Sequence, residues 1–438
     1  MNLTRLFHKT VAIKHHTSTM DTHLHIQRLA QERQRLKISV VTETYPPDIN
    51  GVAMTLARIV NGLVSNGHDI LLIRPKHFKH DAPSDREGFQ EKLVHGLPIP
   101  FYKQLRMGLP SKKELLRLWT FNRPDMVHIA TEGPLGWSAL QAARKLRLPV
   151  STDFRTNFHA YSNHYKIGWL SSAILSYLKK FHNAANVTMV PTSQLECELH
   201  SVGFENLHIV PRGIDTRLFH PRKRSLSLRQ RWGVDEQTTV MLYVGRLAAE
   251  KNLPLVIQSH EMAKKISPLT KLVLVGDGPL MAELRHKYPD IIFSGFKTGE
   301  ELAMHYASAD MFVFASQTET FGNVTLEAMA SGLAVVAFNH AAASELILSG
   351  QNGMLAAQNT DIHFEMAVQA MLNNPFLMNE LKINAVETAH NFSWESIVER
   401  TESVFLDVIS NHRSPVHVGL KSPLSLVSSN TYADPTQI

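Results

Sequence analysis

Two carboxylates eight residues apart, Glu319 and Glu327, lie in the stretch Ser316-Gln-Thr-Glu-Thr-Phe-Gly-Asn-Val-Thr-Leu-Glu-Ala-Met-Ala-Ser-Gly332. The apolar run 311–315 before it predicts a buried parallel strand. A polar loop carrying Glu319 follows, then a helix from about Val324 to Ser331 that carries Glu327. Asn323 is the expected N-cap and Gly332 the expected C′ residue. Ligands of open α/β sheets bind at the carboxyl ends of strands, and free amides at a helix start attract anions. Carboxylates accept hydrogen bonds from hydroxyls. The set suits a ligand with hydroxyls at both ends and phosphate between, which is the pattern of a sugar nucleotide. A glutamate in a loop and one on a helix are equally common on a solvated surface, so the rest of the chain must decide.

Other loops repeat the pattern. The strand 37–42 runs into Glu43-Thr-Tyr-Pro-Pro-Asp-Ile-Asn-Gly51-Val52 and a helix over about 53–65, a strand, glycine-bearing loop and helix that fit a phosphate. Gly51 would admit close backbone approach. The strand 240–244 runs into Gly245-Arg246-Leu-Ala-Ala-Glu-Lys251, whose two cations can converge on one anion and stabilise charge developing on a departing diphosphate. The strand 149–152 leads into Asp153-Phe-Arg155-Thr-Asn-Phe-His159. Phe296 and Lys297 end the strand 291–295.

The wording of these loops resembles the family four retaining glycosyltransferases of the GT-B type. Glu-x7-Glu enclosing Phe321-Gly322 resembles their donor-site signature, and Thr-Glu-Thr-Tyr-Pro-Pro-Asp-Ile-Asn-Gly-Val the first loop of the family's mannosyltransferases and glycolipid synthases. Gly-Arg-x4-Lys and the crossing Val210-Pro-Arg-Gly-Ile-Asp215 agree in order and spacing, so the likeness spans about residues 37–410. It implies two doubly wound Rossmann-like domains facing across a cleft, with a final helix over 394–409 returning to the first. The domains are expected at 36–210 (acceptor side) and 211–392 (nucleotide-sugar side), with the returning helix at 393–411 and disordered segments at 1–35 and 412–438.

By the same resemblance, Glu327 takes the ribose hydroxyls, Glu319 the sugar hydroxyls, and Arg246 with Lys251 the diphosphate. Amides near Gly51 and Gly322 assist, Phe296 and Lys297 hold the base, and Phe321, Asn323 and Val324 complete the donor loop. The resemblance implies a hexosyltransferase without cofactor or metal. Its donor is a nucleotide sugar, GDP-mannose ahead of UDP-glucose, and its acceptor a lipid or glycan. One position departs: where the family commonly has His before Thr-Asn-Phe, this chain has Arg155. Arginine cannot serve as a base near neutral pH, though it can hold a phosphate or carboxylate, and His159 is the alternative.

Composition narrows the classes. The chain has 438 residues, enough for two domains, and one cysteine, Cys197, which excludes an internal disulfide and a cysteine metal cage and fits a reducing, cytoplasmic setting. Cys197 is expected as a small packing residue on a helix. No apolar run reaches membrane-spanning length, and the N-terminus lacks a signal-peptide core. Of the net charge of +6, residues 1–35 carry +4, which weakens a nucleic-acid reading. Residues 76–123 read as less regular. Within them, aromatics and leucines of 101–119 alternate with Lys103, Arg106, Lys112, Lys113 and Arg117, a pattern for an ordinary solvated face or for anionic lipid at the cytoplasmic face of the inner membrane.

Rival classes find less support. Gly276-Asp-Gly-Pro279 fails the dinucleotide fingerprint at Met281, and no Gly-x-Ser-x-Gly marks a serine hydrolase. A sugar-nucleotide binding protein without transfer would not need Glu319, Arg246 and Lys251 together, and Glu-x7-Glu disfavours an epimerase of the same fold.

Overall fold

Hydrophobic runs too short for helices become two parallel sheets. In this computed structural model, residues 34–413 are described except 49, 79–80, 100–101, 156–167, 317–321 and 358–359. The expected disordered ends lie almost wholly outside the described residues. Strands β1 (Lys37–Val41), β2 (Asp69–Pro75), β3 (Phe89–Val94), β6 (Met126–Ile129), β7 (Val150–Asp153), β8 (Val187–Val190) and β9 (Leu207–Ile209) form a sheet in the order β3-β2-β1-β6-β7-β8-β9. A separate antiparallel hairpin joins β4 (Gly96–Ile99) to β5 (Tyr102–Gly108). Helices α1 (Gly51–Ser65), α2 (Lys112–Phe121), α3 (Pro134–Lys145), α4 (Gly168–His182) and α5 (Ser193–Ser201) connect and cover these strands.

The second sheet runs β12-β11-β10-β13-β14-β15, built from β10 (Val240–Val244), β11 (Lys271–Val275), β12 (Ile292–Gly295), β13 (Met311–Phe314), β14 (Ala334–Phe338) and β15 (Met354–Ala356). Its helices are α6 (Leu226–Arg231), α7 (Leu253–Ile266), α8 (Met281–Lys287), α9 (Gly299–Ser308), α10 (Asn323–Ala330), α11 (Ala342–Leu346), α12 (Asp361–Asn373) and α13 (Pro375–His390). Strand pairs in both sheets are parallel. Such sheets bury both faces, which explains why β6, β7, β10 and β13 are buried along their whole length.

Strand order places the site. In the first sheet the chain leaves β1 toward β2 on one side and returns to β6 on the other; in the second, β10 has β11 and β13 as neighbours. The loops after β1 and β6, and after β10 and β13, therefore open at the two switch points, where doubly wound sheets bind ligands. These are the loops that hold Gly51, Arg246, Lys251 and the Glu319 segment.

Helix α14 (Trp394–Arg413) returns to the first sheet as expected. Ile397, Val398, Val404, Phe405 and Ile409 join a core with Leu56, Ile59, Val60 and Leu63 of α1. Gly62 lets the helices meet, because a Cβ there would stand 2.3 Å from Val398. Glu402 on α14 accepts from Asn66 Nδ2 at 2.8 Å and lies 3.4 Å from His68 Nε2. The halves also touch directly: Glu345 accepts the Ser193 amide at 2.7 Å, and Arg58 lies 3.1 Å from Asp215.

Several local expectations need correction. Residues 76–123 are not irregular; they hold β3, the hairpin and α2, whose mixed short strands carry no clean alternation. Helix α5 is capped by Thr192, whose hydroxyl accepts from Leu195 N at 3.2 Å. Cys197 is on that helix but exposed, so it is not a packing residue. The basic stretch before β10 includes a buried cation: Arg229 donates to Ser308 O at 2.8 Å, Thr238 O at 2.7 Å and Asp310 at 3.1 Å.

Candidate active site

Helix α10 starts one residue earlier than expected. Gly322 is its N-cap at φ 82, ψ 64, a left-handed conformation that glycine adopts without a steric penalty, and Asn323 is the first helical residue. Gly332 ends the helix at φ 80, as foreseen. Glu327 sits in the middle, where its Oε2 accepts from the Tyr306 hydroxyl at 2.9 Å. Burial pushes the Glu327 carboxyl up to about 7, against the Tyr306 hydrogen bond, which favours the ionised form. Glu319, Phe321 and His159 lie outside the described residues.

Beneath α10, the loop after β10 is fixed by Tyr243, whose hydroxyl donates to Arg246 O at 3.0 Å. A short 3₁₀ turn, Ala249–Lys251, then leads through left-handed Asn252 into α7. Arg246, Lys251, Gly245, Gly322, Asn323 and Val324 line one cavity of about 410 Å³. Arg246 is largely exposed, 3.9 Å from Glu250. Arg246 and Lys251, five residues apart, thus meet at the start of α10. Phe296 and Lys297 do not line this cavity. Phe296 is 73% exposed and Lys297 lies 3.4 Å from Glu301, both beside the edge strand β12.

Two further cations line the same cavity, Arg155 after β7 of the first sheet and Arg212 in the crossing between the halves. Asp153 holds Arg155, accepting from its Nε at 2.7 Å, and lies 3.6 Å from His128 Nε2. Burial would raise the Asp153 carboxyl, but Arg155 and His128 hold it well below the usual range. Arg212 is drawn down to about 10 by burial first and by the charge of Arg155 second, with Asp153 opposing. Arg212 was not singled out from sequence; the signal was a cation in the crossing between halves.

Arg212 also lines a second cavity of about 460 Å³, with Glu43, Asn50, Gly51, Arg106, Thr131 and Glu132 among its walls. Asn50 caps α1, accepting from Val52 N at 3.1 Å and Ala53 N at 2.9 Å. The amides beside Gly51 are therefore partly engaged, and what Gly51 offers is room: a Cβ there would lie 3.5 Å from Arg212 Nη1. Glu43 accepts from Leu135 N at 3.0 Å, at the start of α3. A Cβ at Gly133 would stand 2.0 Å from Glu43 Oε2, so only glycine leaves space for that carboxylate. Burial raises Glu43 to about 7, with the Leu135 amide opposing and Glu132 adding repulsion. Glu132 itself lies 3.5 Å from buried His182. Sequence reading passed over both carboxylates, although each directly follows a strand at the first switch point.

Comparison with known proteins agrees with this arrangement. The description "Glycosyl transferases group 1" matches residues 225–388 and "Glycosyltransferase Family 4" residues 49–218. The chain is 31% identical over 377 residues to a GDP-mannose-dependent alpha-mannosyltransferase of Corynebacterium glutamicum, covering 86% of this chain and 90% of that protein. It is 26% identical to an alpha-monoglucosyldiacylglycerol synthase of Streptococcus pneumoniae, covering 86% and 87%. Among solved structures, HepE of Anabaena in complex with UDP shares the fold, with a TM-score of 0.64 and 18% identity over 85% of this chain and all of that one. With both halves matched and a relative 31% identical over most of its length, the chain belongs to the family four glycosyltransferases of the GT-B type.

Proposed function

We propose that this glycosyltransferase moves mannose from GDP-mannose to a hydroxyl of a lipid-borne headgroup, with retention of anomeric configuration. The observation that carries the donor is the 31% identity, over nine-tenths of its length, to a relative named for GDP-mannose dependence. The glycolipid synthase relative supports the lipid acceptor. In this reading residues 211–392 hold the donor and 36–210 the acceptor.

The diphosphate sits among Arg246, Lys251 and the start of α10, and Glu327 takes the ribose hydroxyls. Glu319 takes the sugar hydroxyls. The acceptor headgroup occupies the cavity of Glu43 and Glu132, whose carboxylates suit hydroxyl donors. The bond between the anomeric carbon and the β-phosphate oxygen breaks as an acceptor oxygen bonds the same face, and the acceptor proton passes to the departing phosphate. Cations supply the stabilisation that a metal supplies elsewhere, so a chelator leaves turnover intact. Closure of the two halves excludes water and limits donor hydrolysis. The exposed side of α2, with Lys113, Arg117 and Phe121, offers charge and an apolar anchor to anionic lipid at the cytoplasmic face of the membrane. Among the described residues, no helix is long and apolar enough to cross a membrane.

A thermal-shift panel of GDP-mannose, GDP, UDP-glucose and UDP tests the donor. A ligand at a hundred times its Kd adds about 2.7 kcal/mol of apparent stability. GDP and GDP-mannose should raise the melting temperature. A response to UDP-glucose and UDP instead moves the donor to UDP-glucose, and no response to any of them contradicts the proposal.

A further inference from the structure

Arg74, Arg155 and Arg229 are all buried, yet their surroundings differ. Arg74 is saturated: Asp81, Glu91 and Pro75 O accept from its three nitrogens. Arg229 sends both terminal nitrogens to carbonyls and Asp310. Among the described residues, Arg155 gives only its Nε, to Asp153. Its side chain is 5% exposed, and its Nη1 is buried with no hydrogen-bond partner among the described residues. A buried guanidinium left short of acceptors is costly and calls for an acceptor that arrives with a ligand. The cavity it lines is the one lined by Arg212, Arg246 and Lys251.

We propose that Arg155 is a diphosphate ligand, forming with Arg212 of the crossing one arm of a clamp whose other arm is Arg246 and Lys251. The identity of the diphosphate as part of a nucleotide sugar rests on the glycosyltransferase reading; its contact with Arg155 does not. Asp153, steadied by His128, occupies Nε and leaves Nη1 without a partner among the described residues, on a guanidinium whose fork suits phosphate oxygens. Four cations less the charges of Asp153 and of Glu250, 3.9 Å from Arg246, leave two positive charges around the cavity. An intact donor brings two negative charges, and a departing nucleoside diphosphate about three at neutral pH. The clamp therefore favours the departing state over the bound donor, which is the condition for accelerating transfer. The arginine standing where the family commonly has histidine thus supplies charge rather than a proton carrier.

Calorimetric titration with inorganic pyrophosphate and with GDP tests this, on the full chain and on R155Q, R155K and R246A. R155Q strands the Asp153 carboxylate, so the charge-balanced double variant D153N/R155Q is measured beside it, with melting temperatures for all. R155Q and the double variant should each lose about tenfold in pyrophosphate affinity, comparable to R246A, with partial recovery in R155K. Unchanged pyrophosphate affinity in the folded double variant, with loss in R246A, would overturn the assignment and place Arg155 on another anion. Pyrophosphate binding that depends on Arg155, in a protein that consumes neither GDP-mannose nor UDP-glucose, would sink the proposed function and leave this inference standing.

Discussion

The two halves offer positive charge to the same cavity in opposite ways. The second half presents Arg246 on an exposed loop, two-thirds accessible and weakly tethered to Glu250. The first half presents Arg155 from the interior, braced by Asp153, with half-buried Arg212 of the crossing beside it. An exposed cation is screened by water and gains strength only when a ligand and closure exclude solvent. A buried, braced cation is already in place and already desolvated. Pre-organisation on one side and adaptability on the other suit a cleft that must admit a large donor and then hold its diphosphate firmly.

The comparison can be broken at either arm. Arg246→Ala removes the exposed cation of the cavity, and if the proposed contact with the departing phosphate holds, turnover should fall about a hundredfold, as for other charge-stabilising donors. Measured by nucleotide release, wild-type turnover in that variant would take the exposed arm out of the mechanism.

A smaller effect sharpens the contrast between buried groups. Glu43 and Glu327, one in each half, are both held near 7 by burial, against 4.5 in the open. A carboxyl raised by folding contributes stability that is full below its unfolded value and lost as pH rises through the folded one. Between pH 4.5 and 8 each should therefore withdraw about 3 kcal/mol, at 1.36 kcal/mol per pH unit of separation. Urea unfolding of E327Q at pH 5 and pH 8 should show a smaller loss than wild type, since the amide oxygen still accepts from Tyr306. Equal losses in both proteins would show that Glu327 is not the group responsible.

Much of this arrangement was legible in the sequence. The strand 240–244 is apolar, short and followed by glycine, so its ends were readable to the residue. Two cations in a loop are common on a surface, and Arg246, Lys251 and Gly322 stood out because Gly-Arg-x4-Lys and Glu-x7-Glu around Phe321-Gly322 resemble the family's loops. Residues 76–123 were misread because the hairpin mixes polar and apolar residues and leaves no period to detect. Arg155 was seen as an oddity, but its brace by Asp153 depends on the geometry at the end of β7. Glu43 and Glu132 were overlooked because a single carboxylate after a strand is common. Only the fold sets them in one cavity, with a glycine at 133 making room.

The account's central claim is that cations from both halves meet on one diphosphate. A crystal structure of the protein with GDP tests it most directly. The account predicts phosphate oxygens within hydrogen-bond reach of Arg246, Lys251 and a terminal nitrogen of Arg155 together. A diphosphate held by Arg246 and Lys251 alone, with Arg155 turned to another partner, would contradict it.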